Sequence, residues 1–198
     1  MIRVIDDVIP KEDQDFTEQF CLSQNIDWYY VNDISGVDCL NIKDKNYVAS
    51  AGFVRRIYSE YVPNSTTNIM SPLWNNNLNV ERMINVICHK FGVTYQRVVR
   101  AKLNLTMPVP GYTKDNYCGP HTDFDEPHLV LLYYVNDSDG DTIFFENTTD
   151  PFKDQLRVMD RITPKKGRCV LFDGSIYHTQ AHPINSPIRI NLNVNIVS

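Results

Sequence analysis

The clearest alternation of apolar and polar positions lies at the C-terminal end of the chain. Ile188, Ile190, Leu192, Val194 and Ile196 interleave with Arg189, Asn191, Asn193 and Asn195. A period of two is that of a strand, whose successive side chains point to opposite faces. One face is wholly apolar and needs cover from another layer. The other carries three uncharged amides and one guanidinium, which predicts a polar face lining the inside of a barrel. Upstream, Leu129 to Val135 reads LVLLYYV, an unbroken apolar run of the kind found in strands buried on both sides. It ends at Asn136-Asp137-Ser138-Asp139-Gly140, which predicts a hairpin turn. Val98 to Leu105, Thr142 to Phe145 and Arg168 to Phe172 read as further strands, and Ile2, Val4 and Ile5 as a short opening one.

Helical spacing is confined to the first half. Met83, Ile84, Ile87, Cys88 and Phe91 recur on one face and Gly92 supplies a stop; His89 lies off that stripe. Lys11 to Ser23 predicts a second helix, with Phe16, Phe20 and Cys21 as its packing face. Ser71-Pro72 has the form of an N-cap followed by a first-turn proline. Trp28-Tyr29-Tyr30 predicts an extended aromatic segment, residues 31–50 a loop, and Phe53 to Tyr61 fits strand or helix. Together these elements predict a mainly β fold with N-terminal helices (α+β), its short strands forming a sandwich or barrel. The length of 198 residues suits a single domain, with residues 1–95 as a helix-and-strand support and 96–198 as the core.

Composition narrows the function classes. A net charge of −5 argues against broad attraction to nucleic acid or anionic lipid. Cys21, Cys39, Cys88, Cys118 and Cys169 form no CxxC pair, so a zinc knuckle is not expected and a reducing compartment is. No apolar run has the length of a signal-peptide core or a membrane span. The expectation is a soluble cytoplasmic protein.

The candidate chemistry sits in the last third. His121-Thr122-Asp123 would place an imidazole and a carboxylate on one face of a strand. With a second imidazole they make the 2-His-1-carboxylate set that suits non-haem Fe(II) with open coordination positions. His178, His182 and His128 compete for the third place. His178 is favoured because it follows a strand and a tight turn at a fitting distance before Arg189, whereas His182 leads into the segment Pro183 to Pro187 and His128 begins a strand after Pro127. Arg189 shares its face with neutral amides, and its planar fork suits a bidentate carboxylate.

In this order the residues resemble the 2-oxoglutarate- and Fe(II)-dependent oxygenase superfamily, and within it the prolyl-4-hydroxylase-like branch. The resemblance covers roughly residues 98–198. It runs through His121-Thr122-Asp123, Leu132-Tyr133-Tyr134-Val135-Asn136, Gly140-Asp141-Thr142-Ile143-Phe144-Phe145, Pro164-Lys165-Lys166-Gly167, Val170-Leu171-Phe172, His178 and Arg189. The first half is similar, more loosely, to small members encoded by bacteriophages, with its Ile5-Asp6-Asp7 opening and the Trp28-Tyr29-Tyr30 cluster. The resemblance implies a double-stranded β-helix, or jelly roll, with helices packed on one sheet. It implies Fe(II) on His121, Asp123 and His178, and 2-oxoglutarate as co-substrate with its distal carboxylate on Arg189. Tyr134 would support that carboxylate. Asn104 would contact the keto acid, or be a buried amide satisfied by backbone. Dioxygen is the second co-substrate, ascorbate the supporting reductant, and the product a hydroxylated C–H bond, with a peptidyl proline suggested by the branch. One departure is Gly140-Asp141-Thr142, where the family often has two adjacent glycines and an acid. It weakens inference about the substrate, which a fold does not fix. The competing expectations are a cupin-like protein that holds a metal or small ligand without turnover, and an interaction protein with a vestigial site.

Overall fold

The computed structural model describes residues 1–35, 46–49, 51–60, 69–146 and 156–198. The central part of the loop expectation, with Cys39, and the end of the Phe53 to Tyr61 stretch lie outside the described residues. In chain order the elements are β1 (Ile2–Ile5), α1 (Lys11–Cys21), β2 (Tyr29–Val31), β3 (Gly52–Ser59), β4 (Ile69–Met70) and α2 (Val80–Phe91). There follow β5 (Arg97–Thr106), β6 (Leu129–Tyr134), β7 (Thr142–Phe145), β8 (Val158–Ile162), β9 (Cys169–Asp173), β10 (His178–Gln180) and β11 (Arg189–Val197). The described residues are mainly β, with two helices separated by three strands.

The named strands pair antiparallel throughout. An eight-stranded sheet runs β1-β9-β6-β11-β5-β3-β2, with β4 beside β3, and a three-stranded sheet runs β10-β7-β8. β1 pairs with β9, and β3 with β5. The first half therefore contributes strands to the same sheet as the second half.

The face of each strand follows from its sequence. On β6, Leu131 and Tyr133 belong to the cluster formed with Met83, Ile84, Ile87 and Phe91 of α2. Val130, Leu132 and Tyr134 belong to a cluster with Phe144 of β7 and Ile162 of β8. A strand sandwiched between helices and a second sheet has no solvated face, so its apolar residues do not alternate with polar ones. β9 repeats the arrangement, with Cys169 and Leu171 toward the helices and Val170 and Phe172 toward the small sheet.

α2 agrees with its periodicity. Val80, Met83, Ile84, Ile87, Cys88 and Phe91 are buried, Asn79 accepts a hydrogen bond from the Arg82 amide at its N-terminus, and Gly92 closes it in the left-handed conformation at φ 66°. Each of these apolar side chains contributes about 1.5–3 kcal/mol by burial. Ser71-Pro72 caps no helix: its hydroxyl accepts from the Leu73 amide in a turn ahead of Asn79. α1 buries Gln14, Thr17 and Cys21 and leaves Phe16 half exposed. The reason is polar. The Gln14 amide donates to the Ile9 carbonyl at 2.9 Å and lies against the turn at Gly167, where a β-carbon would fall 2.4 Å from its oxygen.

The turn at residues 136–140 is not a hairpin. β6 and β7 lie in different sheets, and the chain crosses between them there. Its polar side chains secure the crossing: Asn136 accepts from the Ile190 amide at 2.7 Å and donates to the Ile188 carbonyl at 3.1 Å.

Candidate metal centre

The two faces of β11 separate as the alternation predicts. Ile190, Leu192, Val194 and Ile196 join the helix-side cluster, while Arg189, Asn191 and Asn193 line a cavity between the sheets together with His121, His178, Lys102, Asn104, Thr142 and Gln180.

His121 and Asp123 do not share a strand. His121 forms an isolated bridge with His178, the first residue of β10, and Asp123 follows in an irregular turn. Each histidine amide donates to the other's carbonyl at 3.0 Å. Directly opposed residues of an antiparallel bridge present their side chains on the same side, which brings the ring centroids to 4.9 Å. Ligand atoms of His121, Asp123 and His178 all lie within 4.8 Å of one another. The bridge, more than the spacing of two, assembles the set.

Both imidazoles are oriented through Nδ1, that of His121 toward the Gly119 carbonyl at 2.9 Å and that of His178 toward the Ile176 carbonyl at 3.0 Å. Those contacts fix the tautomer with Nδ1 protonated and the Nε2 lone pair free, the form that ligates a metal. Burial lowers the basicity of both rings, and that of His178 falls to about 4. They are therefore neutral at pH 7. Burial alone would raise Asp123, yet Arg100 and the two imidazoles outweigh it and hold the carboxyl well below its usual range. Its oxygens accept from Arg100 at 2.5 Å and from Asn195 at 2.7 Å. Neither rival histidine joins the set. His182 bonds the Met107 carbonyl and packs on Tyr112, and His128 bonds the Glu126 carbonyl beside Phe124.

Arg189 is 1% exposed. Its guanidinium donates to the Gly140 carbonyl at 2.7 Å, to Gln180 Oε1 at 2.7 Å and to Thr142 Oγ1 at 2.8 Å. Every one of these acceptors is neutral, so a buried cation lacks a hydrogen-bonded anion, an arrangement that is costly until an anion arrives. Tyr134 lies beneath it, with the guanidinium carbon 5.7 Å from the ring centroid. The Tyr134 hydroxyl donates to Thr142 Oγ1 at 2.7 Å, and burial raises its pKa to about 12. Thr142 thus accepts from both neighbours, which leaves its own hydroxyl hydrogen for the cavity. Asn104 donates to Asn191 Oδ1 at 3.0 Å, and its own oxygen has no partner.

Sequence reasoning missed several of these groups. Arg100 and Lys102 precede Asn104 on β5 at spacings of two, so all three share its inward face. Burial and the nearby Arg100 push the Lys102 amine down to about 7, with Asp123 opposing them. Gly140 is required by close approach: a β-carbon there would stand 2.7 Å from the Ala181 carbonyl and 3.0 Å from Arg189 Cδ.

No family model matches the chain, and no curated protein matches it in sequence. Solved structures do. A 2OG-Fe(II) oxygenase family oxidoreductase from Burkholderia pseudomallei superposes with a TM-score of 0.63 at 11% identity, over 98% of this chain and 84% of that one. The chain shares the fold of 2-oxoglutarate–Fe(II) oxygenases. A prolyl hydroxylase from Trichoplax adhaerens, solved with a hypoxia inducible factor peptide fragment, gives 0.59 at 12% identity over 99% and 83%. A Pseudomonas putida prolyl-4-hydroxylase gives 0.53 at 10% over 100% and 92%. Among the described residues, no helix is long and apolar enough to cross a membrane.

Proposed function

We propose that this protein is an Fe(II)- and 2-oxoglutarate-dependent dioxygenase that hydroxylates a C–H bond, working as one jelly-roll domain over residues 1–198. The observation that carries the reading is a His-Asp-His set, its two imidazoles neutral and pre-oriented, close to a buried guanidinium whose hydrogen-bond acceptors among the described residues are all neutral, with His121, His178 and Arg189 lining one cavity. A metal held for structure alone has no use for that guanidinium.

The residues fit the group they would hold. His121 and His178 through Nε2, and Asp123 through a carboxylate oxygen, would take the iron and leave coordination positions open. Arg189 and the free hydroxyl hydrogen of Thr142 would receive the distal carboxylate of 2-oxoglutarate, with Tyr134 fixing Thr142 from behind. Asn104, whose amide can rotate, would meet the keto acid nearer the metal. Arg100, Asn193 and Asn195 hold the Asp123 carboxylate in place. When bound, iron with 2-oxoglutarate supplies the oxidant: dioxygen is split, the keto acid leaves as succinate and CO2, and the second oxygen atom enters the substrate. The protein binds, orients and excludes water around that chemistry. The prolyl-hydroxylase neighbours support a peptidyl proline as substrate.

The test is release of succinate from 2-oxoglutarate by the purified chain with Fe(II), ascorbate and air. Uncoupled turnover without substrate would already support the assignment. Absence of any 2-oxoglutarate binding by calorimetry in the presence of Fe(II) would remove it.

A further inference from the structure

The metal cavity opens beside His121 and Asp123 into an outer cleft lined by β3, β5 and the segment after β2. Its floor is cationic in a chain whose net charge is −5. Arg56 on β3 stands directly across from Lys102 on β5, and Arg100 lies two positions along β5 from Lys102. The alternation of strand side chains puts Lys102 and Arg100 on one face. Among the described residues, two carboxylates also line the cleft, and both accept hydrogen bonds. Asp123 is bound to Arg100, and Asp33 accepts from the amide and hydroxyl of Ser35. Among the described residues, neither Arg56 nor Lys102 forms a side-chain hydrogen bond or ion pair. Lys102 is half-buried and borders both the metal cavity and the outer cleft. Held partly out of water with no hydrogen-bonded anion among the described residues, the Lys102 amine gains most from its charged form when an anion fills the site.

We propose that Lys102, with Arg56, is an oxyanion subsite, so that the substrate carries a carboxylate or phosphate beside the C–H bond presented to the metal. The inference rests on the oxygenase reading for what happens at that bond, and on the cleft alone for the charge. It separates two anions within one site. Arg189 closes the deep end, where the co-substrate's distal carboxylate would lie. Lys102 borders both the metal cavity and the outer cleft, and Arg56 lines the outer cleft. The subsite narrows the substrate to acids, whether a free acid, an acidic peptide or a phosphate ester, and it disfavours a neutral apolar peptide.

The test uses the full chain under anaerobic conditions, with and without Fe(II) and saturating 2-oxoglutarate, so that the Arg189 end is blocked in one arm. Inorganic phosphate and acetate are titrated by calorimetry into wild type, Lys102→Met and the Arg56→Met/Lys102→Met double variant. Removing an unpaired charge from a half-buried position does not threaten folding. The expected result is anion binding that survives saturation with 2-oxoglutarate and weakens about tenfold or more in the double variant. Affinity for 2-oxoglutarate should fall less than affinity for the added anion, since its charge partner is Arg189. A preference for phosphate would assign a phosphate ester, and a preference for acetate a carboxylic acid. Three results would overturn the proposal: no anion binding, equal binding in the double variant, or complete displacement of the anion by 2-oxoglutarate. Failure of wild type to bind 2-oxoglutarate would instead remove the oxygenase reading and leave the anion titration to judge the cleft.

Discussion

On one face of β11, Ile190, Leu192, Val194 and Ile196 meet the helices; on the other, Arg189, Asn191 and Asn193 line the cavity and Asn195 holds Asp123. Both faces are buried, yet they are held by different physics. Apolar packing is non-directional, so exchanges that conserve volume are tolerated. The polar face is directional throughout. Asn195 accepts from Arg100 and donates to Asp123, Asn191 accepts from Asn104, and Arg189 makes three bonds at 2.7–2.8 Å. Stability and chemistry are therefore written on alternate residues of one strand, and substitutions can be chosen to move one without the other.

The largest contrast sets the metal set against the helix-side face. His178→Ala is expected to abolish iron binding and 2-oxoglutarate turnover, measured by metal content after desalting and by succinate release, with little change in unfolding midpoint. Leu192→Ala should do the opposite, costing about 3 kcal/mol in urea unfolding through the cavity it leaves while iron still binds below the transition. If His178→Ala kept its iron and His182→Ala lost it, the third ligand would be reassigned.

The same contrast explains what the amino-acid sequence disclosed. The alternation in β11 and the helical stripe of α2 each report a single interface, and both are present as read. β6 was legible as a doubly buried strand. The turn after it was not, because Asn136 to Gly140 carries hairpin residues for another purpose: they bind β11 and the loop before it while the chain changes sheets. Arg100 and Lys102 were silent for a related reason. Along β5 they look like the solvated face of a half-buried strand, and only the pairing of β5 with β11 turns that face inward. His121, Asp123 and His178 were found by residue type, but what gathers them is the bridge between His121 and His178, a long-range pairing that no local pattern announces. On α1 Phe20 and Cys21 pack as expected, but Phe16 is half exposed because buried Gln14 takes part in docking the helix.

Next in size is the anion end of the cavity. Arg189→Met should reduce 2-oxoglutarate affinity about a hundredfold or more, the range for removing one partner of a buried charge pair, while Fe(II) affinity stays near wild type. Equal loss of both would mean that the guanidinium supports the whole cavity and does not select the co-substrate. Gly140→Ala is a gentler displacement. The added methyl group would press on the Ala181 carbonyl and Arg189 Cδ, so the guanidinium must shift by tenths of an ångström. About a tenfold loss of 2-oxoglutarate affinity is expected, in keeping with the cost of misplacing a positioned charge. An unchanged affinity would show that Arg189 has slack.

The smallest effect tests whether every polar group near the site belongs to its chemistry. Asp139 accepts from the amides of Ile184, Asn185 and Ser186 at 2.8–3.1 Å and so fastens the loop that leads into β11. Burial would raise its pKa, but those amides prevail and hold it well below the usual value. A group depressed on folding stabilises the fold above its unfolded pKa, about 3.9, and loses that contribution as the pH falls through the folded value. Asp139→Asn should therefore cost about 1–2 kcal/mol at pH 7, and the gap to wild type should shrink as unfolding is repeated at lower pH below about 4. Iron and 2-oxoglutarate binding should scarcely change. A gap constant from pH 7 to pH 3 would place the cost in lost shape and not in charge. A large fall in 2-oxoglutarate affinity would show that the loop and Arg189 move together, and that the division between the two faces of β11 ends at its first residue.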